Sequence, residues 1–372
     1  MKNFIPVNEP LLDGNEKKYL LECIRTGWIS SDGPFVSKFE EKFAKRVNRK
    51  FGIALCNGSA ALEAAVVAIG IKKGDEVILP AFTIISCATA IVRVGAKPVL
   101  VDSDPLTWNM DIKTIEEKIT KRTKAIMVVH TYGLPVDMDP VLILAKKYKL
   151  KIIEDSAEAH GLSYKGKPCG SFGDLSIFSF YPNKLVTTGE GGMILTNDKK
   201  LAEKCRSLRN LCFLPQKRFF HKDLGWNMRL TNLQAAVGLA QLERLDEFIL
   251  KKRKMGRIYQ TLLDDLKNIQ LPISKTPFAD NIYWVFGLVL KENLPFDATY
   301  AMNRLTKAGV GTRPFFWPMH QQPVFLKMGF FKNEKYYVAE KLARRGFYIP
   351  SGLALTSKQI KYVAQVVKKE II

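Results

Sequence analysis

Three short segments of the chain carry residue types that can do chemistry. KIIEDSAEAHG (151–161) puts Asp155 at the end of an apolar run. In open α/β sheets the carboxyl ends of strands are where ligands bind. A carboxylate left unpaired in such a poorly hydrated crevice costs several kcal/mol, so it either neutralises or faces a cation. CNGSAALEAAVVAIG (56–70) reads as a tight strand-to-helix turn, with Gly58, Ser59 and Ala60 at the helix start. Small residues there let backbone N–H groups approach an anion, and the helix dipole favours negative charge. SFYPNKLVTTGEGGM (179–193) holds one lysine, Lys184, between an apolar segment and a glycine-rich turn. A lysine in a partly desolvated site has a lowered pKa and becomes a usable nucleophile.

Taken singly, each segment has a plainer reading. Asp155 could cap the following helix, the 56–60 turn could be any tight junction, and Lys184 could be a loop lysine. Together they are the parts needed to hold pyridoxal 5'-phosphate: a phosphate cradle, a carboxylate for the pyridine nitrogen and an amine for the aldehyde. An opposite charge in contact shifts a pKa by roughly 1–3 units, enough to keep a pyridinium protonated near neutrality. Phe82, in LPAFT after another strand end, is a candidate to stack on the ring, with core packing as the alternative.

The surrounding elements must bring these segments together. FGIALCNGSAALEAAVVAIG (51–70) reads strand, turn, helix. EVILP (76–80), PVLVD (98–102), AIMVVH (125–130), KIIED (151–155), LSIFSF (175–180) and GGMILT (191–196) read as buried strands. Helical patterns between them predict an α/β large domain, a mostly parallel mixed sheet between helices. DGNEKKYLLECIRTG (13–27) predicts a helix opened by an Asp13–Glu16 capping box. A single long helix is expected over 231–266, then a strand in 283–290, a helix over 297–309 and a closing helix after Thr356–Gln359. The expected division is a large domain over 1–250 and a smaller C-terminal α+β domain over 251–372.

Composition narrows the classes. The 372 residues include 57 Lys and Arg against 36 Asp and Glu, a net charge of +21. The basic residues are scattered, without an arginine stripe or interleaved aromatics. That favours a solvated lysine-rich surface, with some attraction for anionic substrates, over nucleic-acid binding. Six cysteines without CxxC spacing fit free thiols in a reducing compartment. Four well-separated histidines argue against a metal site. MKNFIPVNEPLL lacks the apolar core of a signal peptide, and AFTIISCATAIV (81–92) is too short to span a bilayer. The expectation is a cytoplasmic protein, with neither nucleic acid nor membrane as partner.

CNGSAAL, LPAFT, HTYGLPVDMDP, IEDSAEAHG, GSFGDLSIFSFYPNK, TTGEGGM and LGWNMRLTNLQAAVGLAQLE occur in an order that resembles the DegT/DnrJ/EryC1/StrS sugar-nucleotide aminotransferases. The resemblance implies the fold of aspartate aminotransferase, fold type I. HTYGLPVDMDP, Glu158, NKLVTTGEGGM and TRPFFWPMH are most similar to the branch that makes GDP-perosamine. Pro182 and Met228 depart from the residues common there. The resemblance implies that Lys184 is catalytic and bonds to the cofactor. It puts Asp155 at the pyridine nitrogen, Glu158 near the ring hydroxyl, and Ser59, Ala60, Ser179 and Asn183 around the cofactor, with Phe82 on its face. Asn227 would reach the phosphate in a neighbouring subunit, making a homodimer with shared active sites. Trp28, Ser30, Arg218, His221, Arg313 and His320 would contribute to the sugar-nucleotide pocket. L-Glutamate would be the amino donor, pyridoxamine phosphate the intermediate form of the cofactor, and a GDP-linked 4-keto-6-deoxy sugar the acceptor. The alternatives are a UDP- or dTDP-linked keto sugar, amination at C3, or a DNA-binding regulator of the same family.

Overall fold

The computed structural model describes residues 4–214 and 216–371. Helices α1 (Glu16–Thr26) and α2 (Pro34–Arg46) precede strand β1 (Phe51–Leu55). Helices and strands then alternate: α3 (Gly58–Ala68), β2 (Glu76–Pro80), α4 (Ile85–Arg93), β3 (Lys97–Val101), β4 (Thr123–Val129), α5 (Met138–Tyr148) and β5 (Lys151–Asp155). A hairpin of β6 (Ser163–Tyr164) and β7 (Lys167–Pro168) leads to β8 (Leu175–Ser179), β9 (Gly192–Thr196) and α6 (Lys199–Arg209). The large sheet has seven strands in the order β1-β9-β8-β5-β4-β2-β3. Strand β9 runs antiparallel to both neighbours, and the pairings from β8 through β3 are parallel. The carboxyl ends of β1, β2, β4, β5 and β8 therefore lie along one edge, and β9 begins there.

The strand β8 shows how side-chain period sets the layers. Phe178 and Phe180 point to one face, where they meet Phe43 of α2 edge-on at 4.9 and 5.1 Å between ring centroids. Such aromatic pairs add roughly 0.5–1.5 kcal/mol each beyond buried area. The opposite face carries Ser179, against which the start of α3 packs.

The chain continues through α7 (Asn232–Leu242) and α8 (Leu245–Leu263). Then come β10 (Ile269–Gln270), the hairpin β11 (Lys275–Thr276) with β12 (Ala279–Asp280), β13 (Phe286–Leu290) and α9 (Ala298–Lys307). Last are β14 (Arg313–Pro314), α10 (Pro323–Lys327), α11 (Tyr337–Arg345), β15 (Gly346–Ile349) and α12 (Ser357–Ile371). A second sheet, antiparallel, has the order β10-β13-β15-β14. Two apolar clusters result. One fills the large sheet, and the other lies between the second sheet and helices α8, α9 and α12.

The structure differs from the sequence reading in three places. The 231–266 pattern is two helices, broken at Glu243–Arg244. The Arg244 side chain is drawn to Asp13 and Glu247. Leu239 of α7 and Leu245 and Ile249 at the start of α8 join the first apolar cluster, while Met255 and Tyr259 farther along α8 join the second, so α8 bridges the two cores. Asp13 is accordingly an ion-pair partner and not a cap. Asn15 holds the cap position of α1, and Glu16 Oε2 accepts from Gly14 N–H at 2.8 Å. The N-terminal segment crosses to the second sheet: Ile5 pairs with Val310, and Ser351 N–H donates to Val7 O at 2.9 Å. Conversely Phe315, Met319 and Phe325 join the large-sheet core. No helix among the described residues is long and apolar enough to cross a membrane. All six cysteines are free.

Candidate active site

The amine sits at the common edge of the large sheet. Lys184 follows β8, and its Nζ is 3.7 Å from Glu158 Oε1. The same Nζ lies over the Trp284 ring, 3.9 Å from its centroid. Burial lowers the Lys184 pKa, and the Glu158 and Asp155 carboxylates offset only part of that effect. Burial raises the Glu158 pKa, opposed chiefly by the Lys184 charge. Glu158 is held from the other side, where its Oε2 accepts from Tyr132 N–H at 2.8 Å.

Asp155 ends β5 and is 1% exposed. Its Oδ1 accepts from Ala157 N–H at 3.0 Å and its Oδ2 from Cys87 Sγ at 3.2 Å. Burial raises its pKa, and the Lys184 charge is among the influences that lower it, so the two groups lie within electrostatic reach of each other. The helix-cap alternative for Asp155 does not apply, because the residues after it form a turn and no helix begins there.

The anion cradle is built by α3, whose start is fixed from two directions. Asn57 caps the helix by accepting from Ala60 N–H at 2.8 Å. The Ala60 N–H is thus engaged by the cap. The Gly58 and Ser59 N–H groups have no acceptor among the described residues. A Cβ on Gly58 would lie 2.9 Å from Ser179 Cβ, and one on Gly192 would lie 2.3 Å from Asn57 O and 2.8 Å from Gly58 N. Of the glycines after Lys184, Gly192 serves this terminus, letting β9 pass beside the start of α3. The Ser59 hydroxyl meets Ser86 Oγ at 2.7 Å.

Asn183 Oδ1 is buried without a hydrogen-bond partner, as is Ser156 Oγ. Two helix-terminal N–H groups without acceptors, a buried carboxylate and a buried amine fit a small molecule with a phosphate, a ring nitrogen and an aldehyde. The residues present fit pyridoxal phosphate.

Phe82 is fully buried, with its centroid 5.9 Å from those of Tyr132, Phe315 and Phe316. In this chain it packs in an aromatic wall. Two further wall members carried no expectation from the sequence. Tyr132 adopts φ 55°, a conformation L-residues rarely hold, and its hydroxyl accepts from Phe316 N–H at 3.1 Å. Gly133 follows with φ 99°, and a Cβ there would lie 2.6 Å from Trp284 N. That close approach seats Trp284, whose Nε1–H donates to Asn183 O at 2.7 Å. Behind it the buried Lys252 Nζ donates to Trp284 O at 2.6 Å and to Ser351 O, and burial lowers the Lys252 pKa to about 7. Neither Tyr132 nor Trp284 has a spacing signature, because each acts through a long-range contact.

Of the expected substrate residues, Arg313 shares a cavity with Asn183, the neighbour of Lys184 in the chain. With Asn8, Asn183 and Tyr348 it lines a cavity of about 140 Å³. His320 is buried; its Nε2 is hydrogen-bonded to Glu340 Oε1 at 2.8 Å, and its Nδ1 has no partner among the described residues. Trp28 and Ser30 lie on the exposed loop after α1, where Asn232 Nδ2 donates to Trp28 O and its N–H to Ser30 O, both at 2.7 Å. Arg218 lies over the Phe213 ring at 5.3 Å, and His221 Nδ1 bonds to Leu211 O at 2.8 Å, both on an exposed segment. Asn227 is exposed and pairs with Asn210. None of these five side chains touches Lys184 of its own chain.

One other cluster of polar groups is structural. His130, Glu154 and Cys169 lie close enough to suggest a metal site. Val136 N–H donates to His130 Nδ1 at 3.1 Å, so the proton is on Nε2, which bonds to Glu154 Oε1 at 2.9 Å. Glu154 also accepts from the N–H groups of Gly170, Phe172 and Gly173. These bonds shape the loop before β8.

A profile described as the DegT/DnrJ/EryC1/StrS aminotransferase family matches residues 10–368. The chain is 42% identical over 366 residues to a GDP-perosamine synthase of Escherichia coli O157:H7, covering 98% of each. It is 44% identical over 359 residues to the GDP-perosamine synthase of Caulobacter vibrioides, covering 96% of each. Its fold matches the aminotransferase TlmJ of Streptoalloteichus hindustanus with a TM-score of 0.91 at 28% identity, covering 98% of each chain. The chain belongs to the DegT/DnrJ/EryC1/StrS family of sugar aminotransferases, and its cofactor is pyridoxal phosphate.

Proposed function

We propose that the protein moves the amino group of L-glutamate to C4 of a nucleotide-linked 4-keto-6-deoxy sugar. The acceptor is GDP-4-keto-6-deoxy-D-mannose and the product GDP-perosamine. The observation that carries the reading is the buried Lys184 amine between Glu158 and Trp284, within electrostatic reach of Asp155. The 42% and 44% identities over nearly whole chains support the choice of acceptor.

The cofactor, when bound, supplies an aldehyde that exchanges amines and a ring that accepts electrons. Burial leaves Lys184 Nζ more often neutral than a surface lysine. It would take the proton from the donor's α-carbon as the amine leaves the donor, and would give a proton to C4 of the sugar as the amine arrives there. Glu158 takes up or gives back a proton at Oε1 as the amine changes charge. Asp155 holds a proton at the ring nitrogen. The Gly58 and Ser59 N–H groups and the α3 dipole bind the phosphate. The aromatic wall of Phe82, Tyr132 and Trp284 excludes water.

Asn227, Trp28, Ser30, Arg218 and His221 serve the site of a second copy in a homodimer. Their exposure in one chain supports this, as do the exposed Leu21, Ile24, Ile29, Phe219, Phe220 and Leu224 beside them. The test is turnover with glutamate and GDP-, UDP- and dTDP-4-keto-6-deoxy sugars, with the amine position read by NMR and mass in solution by light scattering. Preferred use of a UDP or dTDP sugar, or an amine at C3, overturns the acceptor; a monomer that turns over overturns the shared site.

A further inference from the structure

The Asp155 carboxylate has a neighbour that no reaction step uses. Cys87, third residue of α4, is fully buried, and its sulfur lies 3.2 Å from Asp155 Oδ2. Thr83 Oγ1 lies 3.5 Å behind the sulfur. With the thiol proton directed at the carboxylate, the Thr83 hydroxyl donates to sulfur. The result is a chain, Thr83 to Cys87 to Asp155, in which each bond polarises the next. The other carboxylate oxygen is fixed by Ala157 N–H at 3.0 Å. Both oxygens are thus tethered, each by one donor, and lone pairs remain for a further partner.

We propose that Cys87 is a positioning residue for the cofactor, its thiol orienting Asp155 and keeping that carboxylate the weaker base in its pairing with the ring nitrogen. The physical reason is a balance of basicities. A carboxylate taken out of water becomes a stronger base, and each hydrogen bond it accepts makes it a weaker one. In a shared proton between carboxylate and pyridine nitrogen, a carboxylate too basic keeps the proton, and the ring then draws fewer electrons. Here Cys87 and Ala157 are the two donors to Asp155 among the described residues. The thiol suits the task because burial and the neighbouring carboxylate push its pKa well up, so it stays a proton donor throughout the working range. Sulfur is a weak donor, and a hydroxyl in its place is a stronger one.

The test uses the full-length enzyme loaded with cofactor labelled with 15N at the ring. Cys87→Ala is expected to move the ring 15N resonance of the resting enzyme toward the unprotonated position. It lowers kcat about tenfold, as for a one-unit change in basicity, with KM for the sugar within about twofold. Cys87→Ser restores the resonance and the rate. Thr83→Val moves the resonance the same way by less. A Cys87→Ala enzyme with the resonance and kcat of the wild type overturns the proposal, as does a folded Cys87→Ser enzyme whose resonance moves to the unprotonated position. Where the alanine variant does not fold, Thr83→Val decides the matter, and a Thr83→Val resonance identical to that of the wild type overturns the proposal. The resonance is read without substrate, so a wrong donor or acceptor sugar leaves this test intact.

Discussion

At the residue scale, the site rests on a lysine whose surroundings make it less basic. Trp284 covers Lys184 Nζ and Glu158 approaches it, yet burial dominates and lowers its pKa. Lys184→Ala is expected to fold with the wild-type melting temperature and to lose turnover by at least about a thousandfold, since proton transfer alone contributes 10²–10⁴-fold. Amino transfer measured with purified variant checks this, and near-normal steady-state rates sink the catalytic role. His160, two residues from Glu158, is a different kind of buried group. Its Nδ1 accepts from Val186 N–H at 3.1 Å, and burial lowers its pKa to about 3. Folded His160 thus resists protonation where the unfolded chain takes a proton. Its contribution to stability is complete above about pH 6.5 and is lost as pH falls toward 3. His160→Gln is expected to melt lower than wild type at pH 7, with the gap narrowing between pH 6.5 and 3. A constant gap across that range contradicts the prediction.

At the element scale, two junctions decide whether the site exists. The first is the crossing of β9 beside the start of α3. Gly192→Ala places a Cβ against Asn57 O and Gly58 N, both backbone atoms that cannot swing aside. The expected outcome is a displaced α3 terminus and phosphate binding weakened by about tenfold or more, equal to ~1.4 kcal/mol. Cofactor titration of the apoenzyme measures it, with Gly189→Ala as a comparison at a position where nothing lies within 4 Å of the added Cβ but φ is +79°. The second junction is the loop before β8, whose Gly170, Phe172 and Gly173 N–H groups converge on Glu154. Arg49 Nε and Nη2 brace the same loop through Gly170 O and Gly173 O at 2.8 and 2.6 Å. Glu154→Gln replaces an acceptor by a donor inside this ring and is expected to destabilise the fold by about 3–5 kcal/mol, as when one member of a buried pair is removed. Chemical denaturation reads that loss, and a change below about 1 kcal/mol refutes the role assigned to the ring.

At the scale of the whole molecule, a net charge of +21 surrounds a crevice meant for phosphorylated ligands. Capture of a sugar nucleotide is expected to slow as salt rises, because the Debye length falls from about 10 Å at 0.1 M to about 3 Å at 1 M. The prediction is a fall in kcat/KM of several-fold over that range at nearly constant kcat, and a salt-independent kcat/KM counts against electrostatic steering. The order of strands and helices through the large sheet and its seven buried strand segments were legible in the chain itself, as was the placing of Lys184 and Asp155 after strand ends. Period-2 and 3.6 patterns and strand-end chemistry are local, and local signals survive without a fold. Tertiary structure alone decided the rest. The 231–266 pattern breaks where the Arg244 side chain turns to Asp13 and Glu247, the Ala60 N–H is taken by Asn57, and His320 Nε2 bonds to Glu340. It also brought Trp284 onto Lys184 and Cys87 onto Asp155, pairs 100 and 68 positions apart. No spacing rule links residues so distant, since what joins them is the convergence of strand ends at one edge of a twisted sheet.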